Sequence, residues 1–317
     1  MRLLITGGAG CLGSELANYF ASRGDEVSVI DDFSTGDRSW VQSNGRVEVR
    51  NGSVSIKQDI DAAFSQFGPS HVIHAAASYA DPDDWVGDLE TNALGTLNVV
   101  KACESFEVKK LVYLQTALGY GKPAVSPIPV EQSLNPSSSY GISKVAGEMY
   151  VLSANIPSSV SLRLANVCAP RLAIGPLPTF FKKISAGEEC TVTEAERDFL
   201  SIEDFLSLVE KVLEADQKIS GAFNVSSGNG KTIRQVFEAV AEAIGAENPR
   251  LKSVPIGSDD VKSVVLDPKL TEHTFGWTAE KDFREVIQQQ VRWFEEFGVG
   301  MIRSHLKNAE AINRDDA

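Results

Sequence analysis

The chain has 317 residues, 43% of them apolar and 23% charged, which suits one large or two medium domains with a real core and excludes collagen, disorder and a disulfide-stapled mini-protein. Lys and Arg number 30 against 43 Asp and Glu, a formal charge of -13. So acidic a surface repels phosphate backbones and anionic lipid, so no nucleic-acid or membrane partner is expected, and an anionic substrate must be held by a few placed cations.

In chain order, Arg2–Thr6 reads as a strand, Cys11–Arg23 as a helix, and Glu26–Ile30 and Val47–Arg50 as strands. Ile56–Phe67 is helical, His71–His74 a buried strand, Trp85–Phe106 one long helix, and Lys110–Leu114 a strand. Tyr140–Ala154 is helical and Val160–Leu164 a strand. Strands alternating with helices predict a doubly wound parallel sheet with helices on both faces. After about Asn166 the rhythm breaks on Pro170, Gly175, Pro176, Pro178 and Gly187, and helical patterns return at Ile202–Glu214, Thr232–Ala243 and Phe283–Phe297. We expect a first domain over 1–165, a smaller mixed α/β substrate-binding lobe over 166–306 interleaved with late sheet elements, and a polar tail, 307–317.

No apolar run reaches the ~18 residues of a membrane span, and Met1–Gly8 reads as a short strand rather than a leader. Cys11, Cys103, Cys168 and Cys190 are scattered, which predicts reduced thiols in a cytoplasmic protein and no structural metal. His71 and His74, three apart in a strand, face opposite ways and cannot chelate one ion together.

Gly7, Gly10 and Gly13 lie between the first strand and the first helix. In that place glycines permit a tight turn, backbone approach to a pyrophosphate and helix-on-strand packing, while the helix start at Cys11 and Leu12 offers N–H groups and a positive dipole end. This is a Rossmann-type dinucleotide signature. Asp31, ending the second strand, suits ribose hydroxyls and repels a 2′-phosphate, which favours NAD over NADP; Asp32 shares that role or is a solvated acid. Ala75, Ala76 and Ala77 leave room for a cofactor, though core packing predicts the same run.

Tyr140 and Lys144 stand four apart, on one helical face. A tyrosine of ordinary pKa is about 0.1% ionised at neutral pH. An ammonium and a positive nicotinamide beside it favour the phenolate; a drop of ~3 units needs roughly 4 kcal/mol. Such a tyrosine works as general base on an alcohol and as general acid in reverse.

The chain resembles the extended short-chain dehydrogenase/reductases, specifically the NAD-dependent nucleotide-sugar epimerase/dehydratase family. The resemblance rests on Gly7–Gly13, Asp31, Val72–Ala76, Asn92–Thr96, Tyr113–Gly121, Tyr140–Lys144, Arg163–Val167, Arg197–Phe199 and Phe223–Val225, and reaches about Phe294. Leu114–Gly121 and Leu172–Pro178 look most like epimerases of bacterial lipopolysaccharide O-antigen assembly. By resemblance, Thr116 hydrogen-bonds the reacting sugar oxygen beside Tyr140, Lys144 also grips the nicotinamide ribose, Asn92 serves the cofactor domain, and Asn166 and Arg197 contact the substrate diphosphate. Arg197-Asp198 reads alternatively as a surface ion pair.

The 4,6-dehydratases of the family carry an Asp-Glu pair after the threonine; here Ala117-Leu118 stand there, so no acid/base pair for elimination is present. The remaining set implies C4 epimerisation of a UDP-hexose, UDP-N-acetylhexosamine or the uronic acid. Tyr140 takes the C4 hydroxyl proton as hydride passes to NAD, the 4-keto sugar rotates, and hydride returns to its other face. The alternatives are a nucleotide-sugar 4-ketoreductase or dehydratase, and a non-catalytic NAD-binding regulator. Two departures stand out: Gly257 replaces a second diphosphate arginine, so either Lys182, Lys183 or Lys262 substitutes or the diphosphate is bound more weakly, and Ser53 replaces an acid near the adenine. Val264 lies where these epimerases gate sugar size and leaves room for an N-acetyl group, or is ordinary strand packing. Relatives pair through helices matching Asn92–Phe106 and Tyr140–Ala154, so a homodimer is expected.

Overall fold

The computed structural model describes residues 1–42, 45–257 and 261–303; the polar tail expected over 307–317 lies outside them. The described residues divide into two compact units, the first holding those of 1–113 and 135–159 with Arg303 and the second those of 114–134 and 160–302. These segments do not follow a plain division after residue 165, because the chain passes between units inside two strands.

The first unit begins β1 (Arg2–Thr6), α1 (Cys11–Ser22), β2 (Glu26–Asp31), β3 (Val47–Asn51), α2 (Lys57–Phe67) and β4 (His71–His74). Then come α3 (Trp85–Asp88), a π-helical segment (Leu89–Gly95), α4 (Thr96–Ser105), β5 (Lys110–Thr116), α5 (Ser139–Leu152) and β6 (Ser158–Leu164). Strand β5 changes unit after Tyr113 and β6 after Ser159. The helical pattern expected over Trp85–Phe106 runs without a break from Trp85 to Ser105. Its middle turns carry a π-register, which shifts the phase of the apolar positions and places Asn92 inward. The first unit's core gathers Leu4, Ile30, Val54, Ile60, Phe64, Val72, Val99, Leu111 and Tyr113.

The second unit adds β7 (Asn166–Cys168), α6 (Pro176–Ser185), β8 (Cys190–Val192), β9 (Glu196–Arg197), β10 (Phe199–Ser201), α7 (Ile202–Glu214) and β11 (Gly221–Val225). It continues with β12 (Lys231–Thr232), α8 (Ile233–Ile244), β13 (Leu251–Ser253), β14 (Ser263–Val264), α9 (Lys269–Phe275) and α10 (Phe283–Phe297). Its helices start where side chains can take up orphan N–H groups. Ser201 accepts from the Asp204 amide, and Thr232/Gln235 and Asp282/Glu285 form capping boxes. Their apolar faces, including Phe180, Phe237, Val240, Ile287 and Val291, form a separate core.

Seven strands form one sheet in the order β11-β6-β5-β4-β1-β2-β3, the predicted doubly wound arrangement. The order reverses between β1 and β4, which pair parallel with Thr6 opposite His74. Their carboxyl ends deliver Gly7 and Ala75 to the place where such sheets bind ligands.

Candidate active site

Strand β1 ends directly in the glycine turn. Gly7 adopts φ +64, and a Cβ on it would lie 2.5 Å from the Ala76 Cα, so the turn and the Ala75–Ala77 run fit against each other without side chains. The Gly10 amide donates to the Gly7 carbonyl at 3.1 Å, and a Cβ on Gly13 would overlap that carbonyl. Helix α1 then begins at Cys11 and Leu12 with no side-chain cap and no acid in its first turn. A twelve-residue helix presenting its amino end this way favours an anion.

Asp31 does more than close β2. One carboxylate oxygen accepts from the Ala9 amide at 2.8 Å and the other from the Phe33 amide at 2.8 Å, so it ties the glycine turn to the strand end. Burial pushes its pKa up, the two amides pull it down, and Asp32 pushes it up again. Each oxygen retains acceptor capacity for a ribose hydroxyl. Asp32 is exposed; it accepts from the Ser34 amide at 3.0 Å and from the Ser53 hydroxyl at 3.4 Å. The Ser53 amide itself donates to Asp59 at 2.9 Å, so a carboxylate does reach this place, from α2. A side-chain-free cradle, an open helix end and a carboxylate closing β2 fit a dinucleotide such as NAD.

Helix α5 carries Tyr140 and Lys144 one turn apart, and Ser138 caps it by accepting from the Gly141 amide at 3.1 Å. Tyr140 is half-buried, whereas Lys144 is only 2% exposed. Burial pushes the lysine's pKa down to about 7, against the pull of Glu148 one turn on. Asn92, fully buried in the π-segment, holds this helix to the loop after β4. Its amide nitrogen donates to the Ser78 carbonyl at 2.9 Å and to the Ser143 hydroxyl at 3.0 Å, and its oxygen accepts from the Ser78 amide at 2.9 Å. Asn92 is thus committed to the protein's own loop and helix.

The helix sits close to its support. A Cβ on Gly147 would lie 2.6 Å from the Tyr113 hydroxyl and 2.7 Å from the Asn92 carbonyl. Beneath it, His74 is fully buried between Thr6 (2.6 Å) and Thr96 (2.9 Å). Thr96 donates its proton to the Asn92 carbonyl at 2.6 Å, so it accepts from His74 Nε2, and Nδ1 accepts from Thr6. Burial first, then the Lys144 charge, push the His74 pKa down to about 3, so the ring is neutral. Among the described residues no cluster of His, Cys, Asp or Glu is arranged to hold a metal.

In the second unit, Thr116 ends β5. Its hydroxyl oxygen accepts from the Leu118 amide at 3.2 Å, which leaves its own O–H to donate. The strand end rests on a buried network in which Arg163 donates to the Tyr120 hydroxyl at 2.8 Å, and that hydroxyl donates to Asn224 at 2.7 Å. Sequence reasoning gave these residues no role; an arginine inside an apolar strand is the signal that a buried acceptor waits for it.

Short strands assemble the other candidates. Strand β9 pairs with β14 so that Arg197 lies opposite Val264. Arg197 donates to the Glu196 carbonyl at 2.8 Å and the Val261 carbonyl at 2.9 Å. Val264 packs in a cluster with Ala117, Tyr120, Ile128 and Leu266. The Asn166 side chain donates to the Asp198 carbonyl at 2.8 Å. Asp198 is fully buried, which removes the surface ion-pair alternative. Its carboxylate accepts from the Ser227 hydroxyl at 2.6 Å, the Ser227 amide at 3.1 Å and the Gly228 amide at 2.9 Å. Burial pushes its pKa up to about 6 against those bonds. Of the substitute cations, Lys182 is bound to the Gly300 carbonyl at 2.8 Å; Gly257 is exposed, and Ser258–Asp260 lie outside the described residues.

A profile of the NAD-dependent epimerase/dehydratase family matches residues 3–226. The chain belongs to that family. The Bordetella bronchiseptica enzyme WbmG, solved with NAD and UDP, superposes with a TM-score of 0.90 at 48% identity, over 97% of this chain and 98% of that one. A Thermotoga maritima UDP-glucose 4-epimerase solved with UDP-glucose gives a TM-score of 0.84 at 26% identity, over 93% and 99% of the two chains. A Corynebacterium glutamicum UDP-glucose 4-epimerase is 28% identical, covering 91% of this chain and 94% of its own. As a family member the chain is an NAD-dependent enzyme.

Proposed function

We propose that the protein interconverts the C4 epimers of a UDP-sugar and recycles bound NAD within each turnover. The observation that carries this reading is the helix α5 pair, half-buried Tyr140 one turn from buried Lys144, in a chain where Ala117 and Leu118 follow Thr116 in place of an acid pair. NAD, when bound, supplies the acceptor and donor of hydride. Tyr140 is the base that takes the C4 hydroxyl proton and returns it. The Lys144 ammonium favours the phenolate and holds the cofactor ribose. Thr116, its oxygen already accepting from Leu118, donates to the reacting sugar oxygen. With no carboxylate at 117 or 118, the 4-keto sugar is not driven toward loss of water.

Arg197 is assigned to the diphosphate, with Asn166 bracing the turn beside it and Val264 bounding the sugar end. The UDP assignment draws on the nucleotides present in the structures of the two relatives. Glucose, N-acetylglucosamine and glucuronic acid are the sugars to compare, and supply of a surface polysaccharide, as for O-antigen epimerases, is the corresponding role in a cytoplasmic enzyme. The test is NMR of purified protein with the three UDP-sugars and catalytic NAD. The C4 isomer should accumulate without added NADH, and Tyr140→Phe should lower kcat by roughly 10²–10⁴-fold. Stoichiometric consumption of NADH would make the protein a ketoreductase instead, and full activity of Tyr140→Phe would remove the tyrosine from the mechanism.

We also infer that two copies pair through the first unit. Val86 (65% exposed) and Leu89 on the α3 side, and Ile142 and Met149 (63% exposed) seven residues apart on α5, leave apolar side chains in water.

A further inference from the structure

Buried Lys144 has a neighbour that the reaction scheme does not use. Its ammonium nitrogen lies 4.0 Å from the centroid of the Tyr113 ring, well within the range of a cation–π contact. The Tyr113 hydroxyl donates to the Lys144 carbonyl at 3.1 Å. Tyr113 is fully buried, and its ring is fixed by the His74 ring at 5.4 Å and by Gly147 close to its hydroxyl. Burial keeps that hydroxyl neutral, pushing its pKa well up, so the contact with Lys144 is through the ring face and not through a phenolate.

We propose that Tyr113 is a positioning residue for Lys144: strand β5 offers a ring face to the ammonium and a hydroxyl to the carbonyl, and so fixes both ends of the lysine while favouring its charged form. The charged and titratable groups around it divide by element. Strand β4 contributes His74, neutral through the working range of pH; α5 contributes Glu148, which favours the ammonium, and Tyr140, which the ammonium serves. Burial works against the charge, and the ring adds to Glu148 in opposing it without bringing a second carboxylate beside the phenolate. A carboxylate there would favour the ammonium equally well and would repel Tyr140 in its working form. The inference rests on the role given to Tyr140 and Lys144 above.

Its test separates ring from hydroxyl and both from folding. Tyr113→Phe keeps the ring. Ring-fluorinated phenylalanine at 113 keeps the volume and progressively removes the negative ring face. The first readout is the pH profile of kcat/KM, whose alkaline limb follows loss of the Lys144 proton. The second is the Lys144 signal of protein labelled with [ε-13C]lysine, loaded with NAD but without sugar, and assigned with Lys144→Met. Tyr113→Phe should leave both titrations in place, and fluorination should move both downward by about one pH unit. Titrations unmoved by fluorination would overturn the proposal, because a purely packing role depends on ring volume alone. Failure of the underlying reading looks different: Tyr140→Phe would remain active, while the NMR titration would still report the ring and the ammonium.

Discussion

Asn92→Ala offers the sharpest test of how the cofactor end is held. The native side chain makes three hydrogen bonds, two to the Ser78 backbone and one to the Ser143 hydroxyl. Ser143 keeps a partner after the truncation, since its hydroxyl also donates to the Tyr140 carbonyl at 3.0 Å. Ser78 is half-buried, so water can reach its amide and carbonyl. No group is left orphaned in the interior, and the cost is three net hydrogen bonds at ~1 kcal/mol each, about 3 kcal/mol in all. Urea unfolding followed by circular dichroism reads that loss. The same change frees the Ala75–Ser78 loop from α5, so the NAD dissociation constant, measured by calorimetry, should rise roughly tenfold, the equivalent of ~1.4 kcal/mol. A variant destabilised by less than ~1 kcal/mol that binds NAD as before would refute the clamp and leave Asn92 as passive filling.

Asp31→Ser should weaken NAD and narrow its advantage over NADP, because the proposed ribose acceptor and the anchor of Ala9 disappear together; equal loss for both cofactors in parallel titrations would leave only the anchoring role. Asp198 sets a pH signature. Its folded pKa of about 6 lies above the ordinary 3.8, so the folded form binds this proton more tightly and its contribution to stability is lost as pH rises from about 4 to about 6. The swing is of order 3 kcal/mol. Urea melts of Asp198→Asn should show a flatter pH dependence across that window, and parallel curves would contradict it. Met149→Glu with Val86→Glu should convert a sedimenting dimer into monomers that still bind NAD; unchanged sedimentation would place the pairing surface elsewhere.

Much of the architecture could be read because its signals are local. The edges of Ile202–Glu214 and Phe283–Phe297 are set by capping side chains and apolar periodicity, and the structure places those helices at those residues. The glycine turn was legible for the same reason, since its residues act on their immediate neighbours. The π-segment was not. Leu89–Gly95 keeps helical composition throughout, and its π-register shows only in the backbone of the folded chain. The two-residue strands β9, β12 and β14 carry too few positions to show a period, yet they set Arg197 opposite Val264. Asn166 and Asn92 match family positions, but what their amides bind depends on chain 32 and 14 residues away. Tyr113 lies in the expected strand Lys110–Leu114 and opens a stretch that carries the resemblance, but its contact with Lys144 depends on which helix covers it.

The missing side chain at Gly147 bears on how a turnover can proceed. With no methyl there, α5 settles to within contact of Tyr113 and of the Asn92 carbonyl, and nothing wider than a hydrogen fits the seam. A helix seated so tightly cannot swing its two working side chains from one side of a ring to the other. Whatever reorientation the two configurations at C4 demand is therefore left to the guest, and the host contributes a fixed anvil on which either face is struck.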